Sequence, residues 1–150
     1  MCHGQYDAGL CLFIAGRPRR SPARYSETVA YGQAANNVTF TLAGHIGLGN
    51  VHEAKNQLHL AEAAYQHVID TAGDPPLPYV CAAYLGLAQI SYEWGAWDNV
   101  DKYGQLGIKF GLQLPSVDVP AACHVLFARA KLAQNDLEAA KARLDEAEQS

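Results

Sequence analysis

The chain has 150 residues, 49% apolar and 17% charged, which is enough for one packed domain and too balanced for a disordered tail. Its formal net charge of −4 argues against a general nucleic-acid binder, because neutralising phosphates needs clustered Lys and Arg. The charge is uneven: residues 1–24 hold Arg17, Arg19, Arg20 and Arg24 against Asp7 alone, while the remainder carries seven basic and fourteen acidic side chains.

In chain order, residues 5–15 read as a short helix ending at Gly16, followed by an Arg-rich turn beside Pro18 and Pro22. This turn reads as a solvated loop, with a phosphate or partner contact as the other reading. A second helix runs from about Pro22 to Asn36 and breaks at Asn36-Asn37. These two form a degenerate hairpin over 5–36, with Ala23 and Ala30 as its recognisable small positions. A helix over about 38–54 pairs with one over about 58–72, which Gly73 is placed to end in a left-handed conformation. Asp74-Pro75-Pro76-Leu77-Pro78 forces an extended link, since each Pro biases its predecessor away from the helical region. Helices over about 78–94 and 97–114 follow, Pro78 being placed in a first turn and Pro115 after the last residue. The last pair spans about 119–133 and 136–148, with Asp136 placed as a cap and Glu138 suited to the helix dipole.

Cys2, Cys11, Cys81 and Cys123 make no C-x-x-C pair and read as reduced, small hydrophobes. The apolar run Leu10 to Ala15 lacks the basic leader of a signal peptide and the length of a membrane span, so the expected location is the cytoplasm.

Three segments superpose when slid by 39 and then 40 residues. Leu48-Gly49 falls on Leu87-Ala88 and Phe127-Ala128, and Leu58-x-x-Ala61 falls on Trp97-x-x-Val100 and Leu137-x-x-Ala140. Helix-type spacing at such a period marks units that must stack on their neighbours to bury their apolar faces. Asn56, Gly95 and Asn135 stand at the corners, where a left-handed residue is needed. Tyr65, Gly104 and Leu144 occupy the next position of the packing row, seven residues after the large apolar one.

Leu48-Gly49…Asn56-x-Leu58-x-x-Ala61-x-x-x-Tyr65 resembles the tetratricopeptide (TPR) repeat. The units of 39 and 40 residues exceed the usual 34, with Ala88 and Gly104 as departures. Residues 83–94 and 126–140 are similar to the repeats in the sensor region of the MalT-like, LuxR-family ATP-dependent transcriptional regulators. The resemblance implies an all-α, right-handed superhelix of antiparallel helical hairpins, a TPR-like α-solenoid. It would occupy residues 1–150 as a single domain, with a degenerate hairpin at 5–36 and repeats at about 38–72, 78–114 and 119–148. It also implies a longer polypeptide, with a nucleotide-binding module before the repeats and a helix-turn-helix after them. This sequence contains neither a G-x-x-x-x-G-K-[ST] loop nor a basic terminal helix, since it closes on Asp145-Glu146-Ala147-Glu148.

His45, His52 and His59 recur every seven residues, but the third lies beyond a corner. His45 also aligns with Tyr84 and His124, so the row reads as packing in preference to zinc. Cys123 and His124 are helix neighbours pointing about 100 degrees apart, unsuited to a nucleophile and its base. Gly104, Gly107 and Gly111 lie on one helix face and lower its intrinsic stability by about 1 kcal/mol each relative to Ala. The expected compensation is close packing against Ala121, Ala122 or Ala128; the other reading is a groove or hinge closed by a ligand.

No constellation supports an enzyme, and no cofactor is expected. Carrying the family's inward-facing positions across implies a concave binding face of Asn50, Glu53, Gln89, Tyr92, Glu93 and Arg129, in which Asn50, Gln89 and Arg129 form one polar column. The expected partner is a small effector or a protein, without direct nucleic-acid or membrane contact. The alternative is a generic scaffold for protein-protein interaction or self-association, and apolar residues such as Leu10, Leu12 and Phe13 suggest a homodimer.

Overall fold

A computed structural model describes residues 21–115 and 118–149. They form seven helices: α1 (Pro22–Ala34), α2 (Val38–Ala54), α3 (Leu58–Thr71), α4 (Val80–Glu93), α5 (Trp97–Gly111), α6 (Val119–Ala133) and α7 (Leu137–Gln149). The expected helix at 5–15 and its Leu10, Leu12 and Phe13, the Arg17–Arg20 turn, Cys2 and Cys11 lie outside the described residues. Consecutive helices pack as antiparallel hairpins, giving an all-α, TPR-like array. The first helices of successive hairpins also touch directly, α2 on α4 and α4 on α6.

Corner chemistry sets the hairpins. Asn36, Asn56, Gly95 and Asn135 take φ of 51, 56, 68 and 62°, and Gly73 takes 91° after α3, the region where Gly and Asn are least penalised. Asn37 accepts from the Phe40 amide at 3.2 Å, and Asp136 accepts from Ala139 at 3.1 Å, capping α2 and α7. Three boundaries differ from the sequence expectation by two residues or more. Helix α1 ends at Ala34, short of the expected Asn36, which already holds the left-handed corner. Pro78 precedes α4, its carbonyl accepting from the Cys81 amide (3.1 Å) in a turn before the helix proper. Helix α5 stops at Gly111 because Leu112–Leu114 turn the chain towards α6.

The core is a series of aromatic-on-glycine joints. Tyr25 of α1, 4% exposed, lies on the Gly47 backbone of α2, and Tyr65 of α3, fully buried, is held between Gly49 of α2 and Gly86 of α4. A Cβ at any of these glycines would enter the ring. Sliding back 40 residues puts Tyr65 on Tyr25 and Ala72 on Gly32, both buried, whereas Ala23 and Ala30 are exposed. The expected small positions of the first hairpin are therefore corrected to the row Tyr25 and Gly32.

At the next joint the roles invert. Gly104 of α5 supplies the bare backbone and Phe127 of α6, 1% exposed, supplies the ring. Gly107 faces Cys123 and Gly111 faces Pro120, so the glycine face does pack closely. Its partners are Pro120, Cys123 and Phe127, one face of α6, and not the expected Ala121, Ala122 or Ala128. Cys81, Val119 and Cys123 form a buried cluster beside this seam, in which burial pushes both thiols up to about 12. Both cysteines are free.

Candidate functional site

Because α2, α4 and α6 lie side by side, residues near their C-terminal ends share one strip. Asn50 and Glu53 come from α2, Gln89, Tyr92 and Glu93 from α4, and Arg129 from α6. On α4 the i, i+3, i+4 spacing of Gln89, Tyr92 and Glu93 makes one helical face.

The strip is tied to the core through a residue that the sequence reading assigned only to packing. The Tyr65 hydroxyl donates its single proton between Asn50 Oδ1 (2.7 Å) and Glu53 Oε2 (2.9 Å). Burial and the neighbouring Glu53 carboxylate drive the Tyr65 phenol well above its ordinary range, so it stays a donor at all physiological pH. Glu53 is half-buried. Desolvation raises its pKa, Tyr65 opposes that by bonding the charged form, and the like charge of Glu93 adds to the rise.

On the other side of α4, the Arg129 guanidinium lies 4.7 Å from the centre of the Tyr92 ring, a cation–π geometry. Trp97 meets Tyr92 edge-on at 5.8 Å and borders an open depression of about 360 Å³ lined by Gly95 to Asn99. Trp94, 44% exposed, faces His59 at 5.1 Å. The structure thus joins Asn50 with Glu53, sets Glu93 against Glu53, and joins Tyr92 with Arg129; Gln89 sits half-buried one turn before Tyr92. Trp97 and the Tyr65 hydroxyl are the additions. Their only trace in the sequence is an aromatic at a repeat packing position, which does not say where a polar tip emerges.

Of the three histidines His45 packs, His52 is half-buried with its Nδ1 2.9 Å from Gln57 Oε1, and His59 is exposed, against the expectation of a packed row. His45 meets His67 of α3 with ring centres 4.3 Å apart, its Nε2 enclosed and lacking a hydrogen-bond partner, and burial followed by the His67 charge lowers its pKa. Tyr84 stacks on Phe110 (5.9 Å) and Tyr103 (6.3 Å). His124 stands edge-on to Phe127 (6.1 Å), with Nδ1 3.2 Å from Glu146 Oε2 but not aligned for a hydrogen bond. Among the described residues no three His, Cys, Asp or Glu side chains gather as metal ligands, and no helix is long and apolar enough to cross a membrane.

Residues 6–150 match the sequence profile of the MalT-like TPR region. The chain belongs to this family. A MalT-like TPR region is a protein- or ligand-binding helical repeat of the kind found in LuxR-family regulators, and such repeats are typically non-catalytic. No curated protein and no solved structure matches the chain at a significant level. Within the MalT-like TPR frame, the strip on α2, α4 and α6 combines two carboxylates, two amides, an aromatic ring and a guanidinium on adjacent first helices, a donor and acceptor set suited to orienting a polar ligand.

Proposed function

We propose that this MalT-like TPR region is the sensor portion of a LuxR-family transcriptional regulator working in the cytoplasm. It would bind a small effector or a protein partner on the strip Asn50, Glu53, Gln89, Tyr92, Glu93 and Arg129. The observation that carries the reading is the Arg129 guanidinium held over Tyr92 from the neighbouring hairpin, 4.7 Å from the ring centre. A ligand there would touch two repeat units at once and report on their relative position. The reading assigns no catalytic residue, no cofactor and no direct nucleic-acid contact to this segment.

The test is a thermal-shift panel of metabolites against wild type, Gln89→Ala and Arg129→Ala. The expected result is a compound that raises Tm in wild type and loses that effect in both variants. Shifts that persist unchanged in both variants would remove the strip from the function. An upstream P-loop and a downstream helix-turn-helix in the same reading frame would support the regulator context.

A self-association scaffold is the second reading, favoured by the exposed Val125 and Leu132 on α6 and Leu137 and Leu144 on α7. Sedimentation equilibrium separates the two: a mass near 16.2 kDa excludes the dimer.

A further inference from the structure

Two guanidinium groups of the last hairpin lie over aromatic rings, and the protein pairs one of them. Arg143 of α7, 5.0 Å from the centre of the Phe127 ring, has Glu146 at 3.0 Å. Arg129 of α6 lies 4.7 Å from the centre of the Tyr92 ring and is exposed. Among the described residues, no carboxylate comes within ion-pair distance of Arg129 and none of its side-chain N–H groups has an acceptor. A contact with a ring face is electrostatic and consumes none of the five N–H donors. It also restricts where the head of the side chain sits, so less rotamer entropy is lost when a ligand is gripped. The platform is itself held in place: Tyr92 packs on the core cluster of Ala88, Val100, Leu126, Phe127 and Ala130 and meets Trp97 edge-on.

An unpaired, positioned guanidinium matches an oxyanion in a two-pronged hydrogen bond, and its weak hydration lowers the cost of exchanging water for that group. Charge then separates carboxylate from phosphate. Arg129 is the one cation of the six strip residues, and Glu53 and Glu93 are acids. One negative charge on a ligand is matched, whereas a second would find carboxylates and no further cation on the strip.

Resting on the binding-surface reading above, we propose that the strip takes a small monocarboxylate, its carboxylate accepting from the Arg129 guanidinium. Tyr92 and Trp97 supply the neighbouring aromatic surface for an uncharged body. Arg143 is ruled out of this role because a ligand there would have to displace Glu146.

The experiment is an NMR titration of the 150-residue chain with benzoate, its neutral isostere benzamide, and phenyl phosphate, read at the Arg129 Nε–H and the Trp97 indole N–H. Wild type is compared with Arg129→Gln and Arg143→Gln, with circular dichroism melts to show that each variant is folded. Benzoate binds wild type, benzamide binds about tenfold or more weakly through loss of the charge-assisted contact, and phenyl phosphate binds no more tightly than benzoate. Arg129→Gln removes the preference for benzoate over benzamide, and Arg143→Gln keeps it. Four results overturn the proposal: no benzoate binding at millimolar concentration, equal binding of benzoate and benzamide, a preference that survives Arg129→Gln, or phenyl phosphate binding clearly more tightly than benzoate. Should a panel compound without an acid group depend on Gln89 and Arg129 while benzoate fails, the binding surface stands and the carboxylate is excluded. Should neither depend on them, both readings fall.

Discussion

The junction of α2, α3 and α4 is filled by Tyr65, and the junction of α4, α5 and α6 by Phe127. In the first, the second helix of a hairpin supplies the ring and the first helices supply Gly49 and Gly86. In the second, the first helix of the following hairpin supplies the ring and α5 supplies Gly104. The volume filled is the same in kind, yet only the first joint has a hydroxyl that leaves the core and binds Asn50 and Glu53. The Phe127 joint is covered instead by the Arg143 guanidinium, 5.0 Å from the ring centre. Of these two joints, packing of the same kind carries a polar connection to the strip at one and none at the other.

The comparison breaks first at the rings themselves. Phe127→Ala and Tyr65→Ala should each cost about 3–5 kcal/mol in urea denaturation, because both rings are buried between rigid helices. A loss below about 1 kcal/mol at either site would show that its joint does not depend on the ring. Next come the bare backbones. Gly107→Leu should cost about 3 kcal/mol, since even its Cβ would lie 2.9 Å from the Cys123 sulfur, with the Cys81 carbonyl and Leu85 amide behind. A melting curve matching wild type would refute close packing of the glycine face.

The hydroxyl distinguishes the joints more gently. Tyr65→Phe should cost about 1 kcal/mol, since Asn50 and Glu53 are half-buried and partly rehydrate. It should also raise the Glu53 pKa further, read by carboxyl NMR, because the bond that favours the charged form is gone. An unmoved Glu53 titration would mean that the tie is not made in solution. The smallest effect concerns pH. A carboxyl whose folded pKa lies above its unfolded value favours the fold at low pH and loses that contribution as pH rises through the folded pKa. Glu53→Gln, whose amide oxygen still accepts from Tyr65, should therefore be more stable than wild type at pH 7, with the advantage shrinking towards pH 4. His45 acts in the opposite sense. Its lowered pKa means that stability is lost as pH falls through 6.5, a dependence that His45→Gln should flatten in melts between pH 7 and 5.

Much of the array was legible beforehand because its determinants are local. Asn56, Gly95 and Asn135 announce left-handed corners, and six of the seven described helices begin within one residue of their expected starts, α4 being the exception. The exchange of ring and glycine between α5 and α6 was not legible, since Gly104 looks like a lost aromatic until Phe127 is seen to occupy the space. Tyr25 was missed for a related reason: its hairpin was aligned on small residues, whereas what it shares with the next hairpin is the ring of Tyr25 and Tyr65. For the candidate strip, the column Asn50, Gln89 and Arg129 could be written down from the 39- and 40-residue offsets, but nothing in those offsets pairs Arg129 with Tyr92 or Glu53 with Tyr65.

The sequence by itself determined the hairpins, the order of the helices and the register of the repeat, because helix periodicity and corner residues act over a few positions. Which helix donates the ring at each joint, and which charges on α2, α4 and α6 find a partner, was decided only by the tertiary structure. Those outcomes depend on volume and electrostatics shared between residues 12 to 40 positions apart, where no local rule applies.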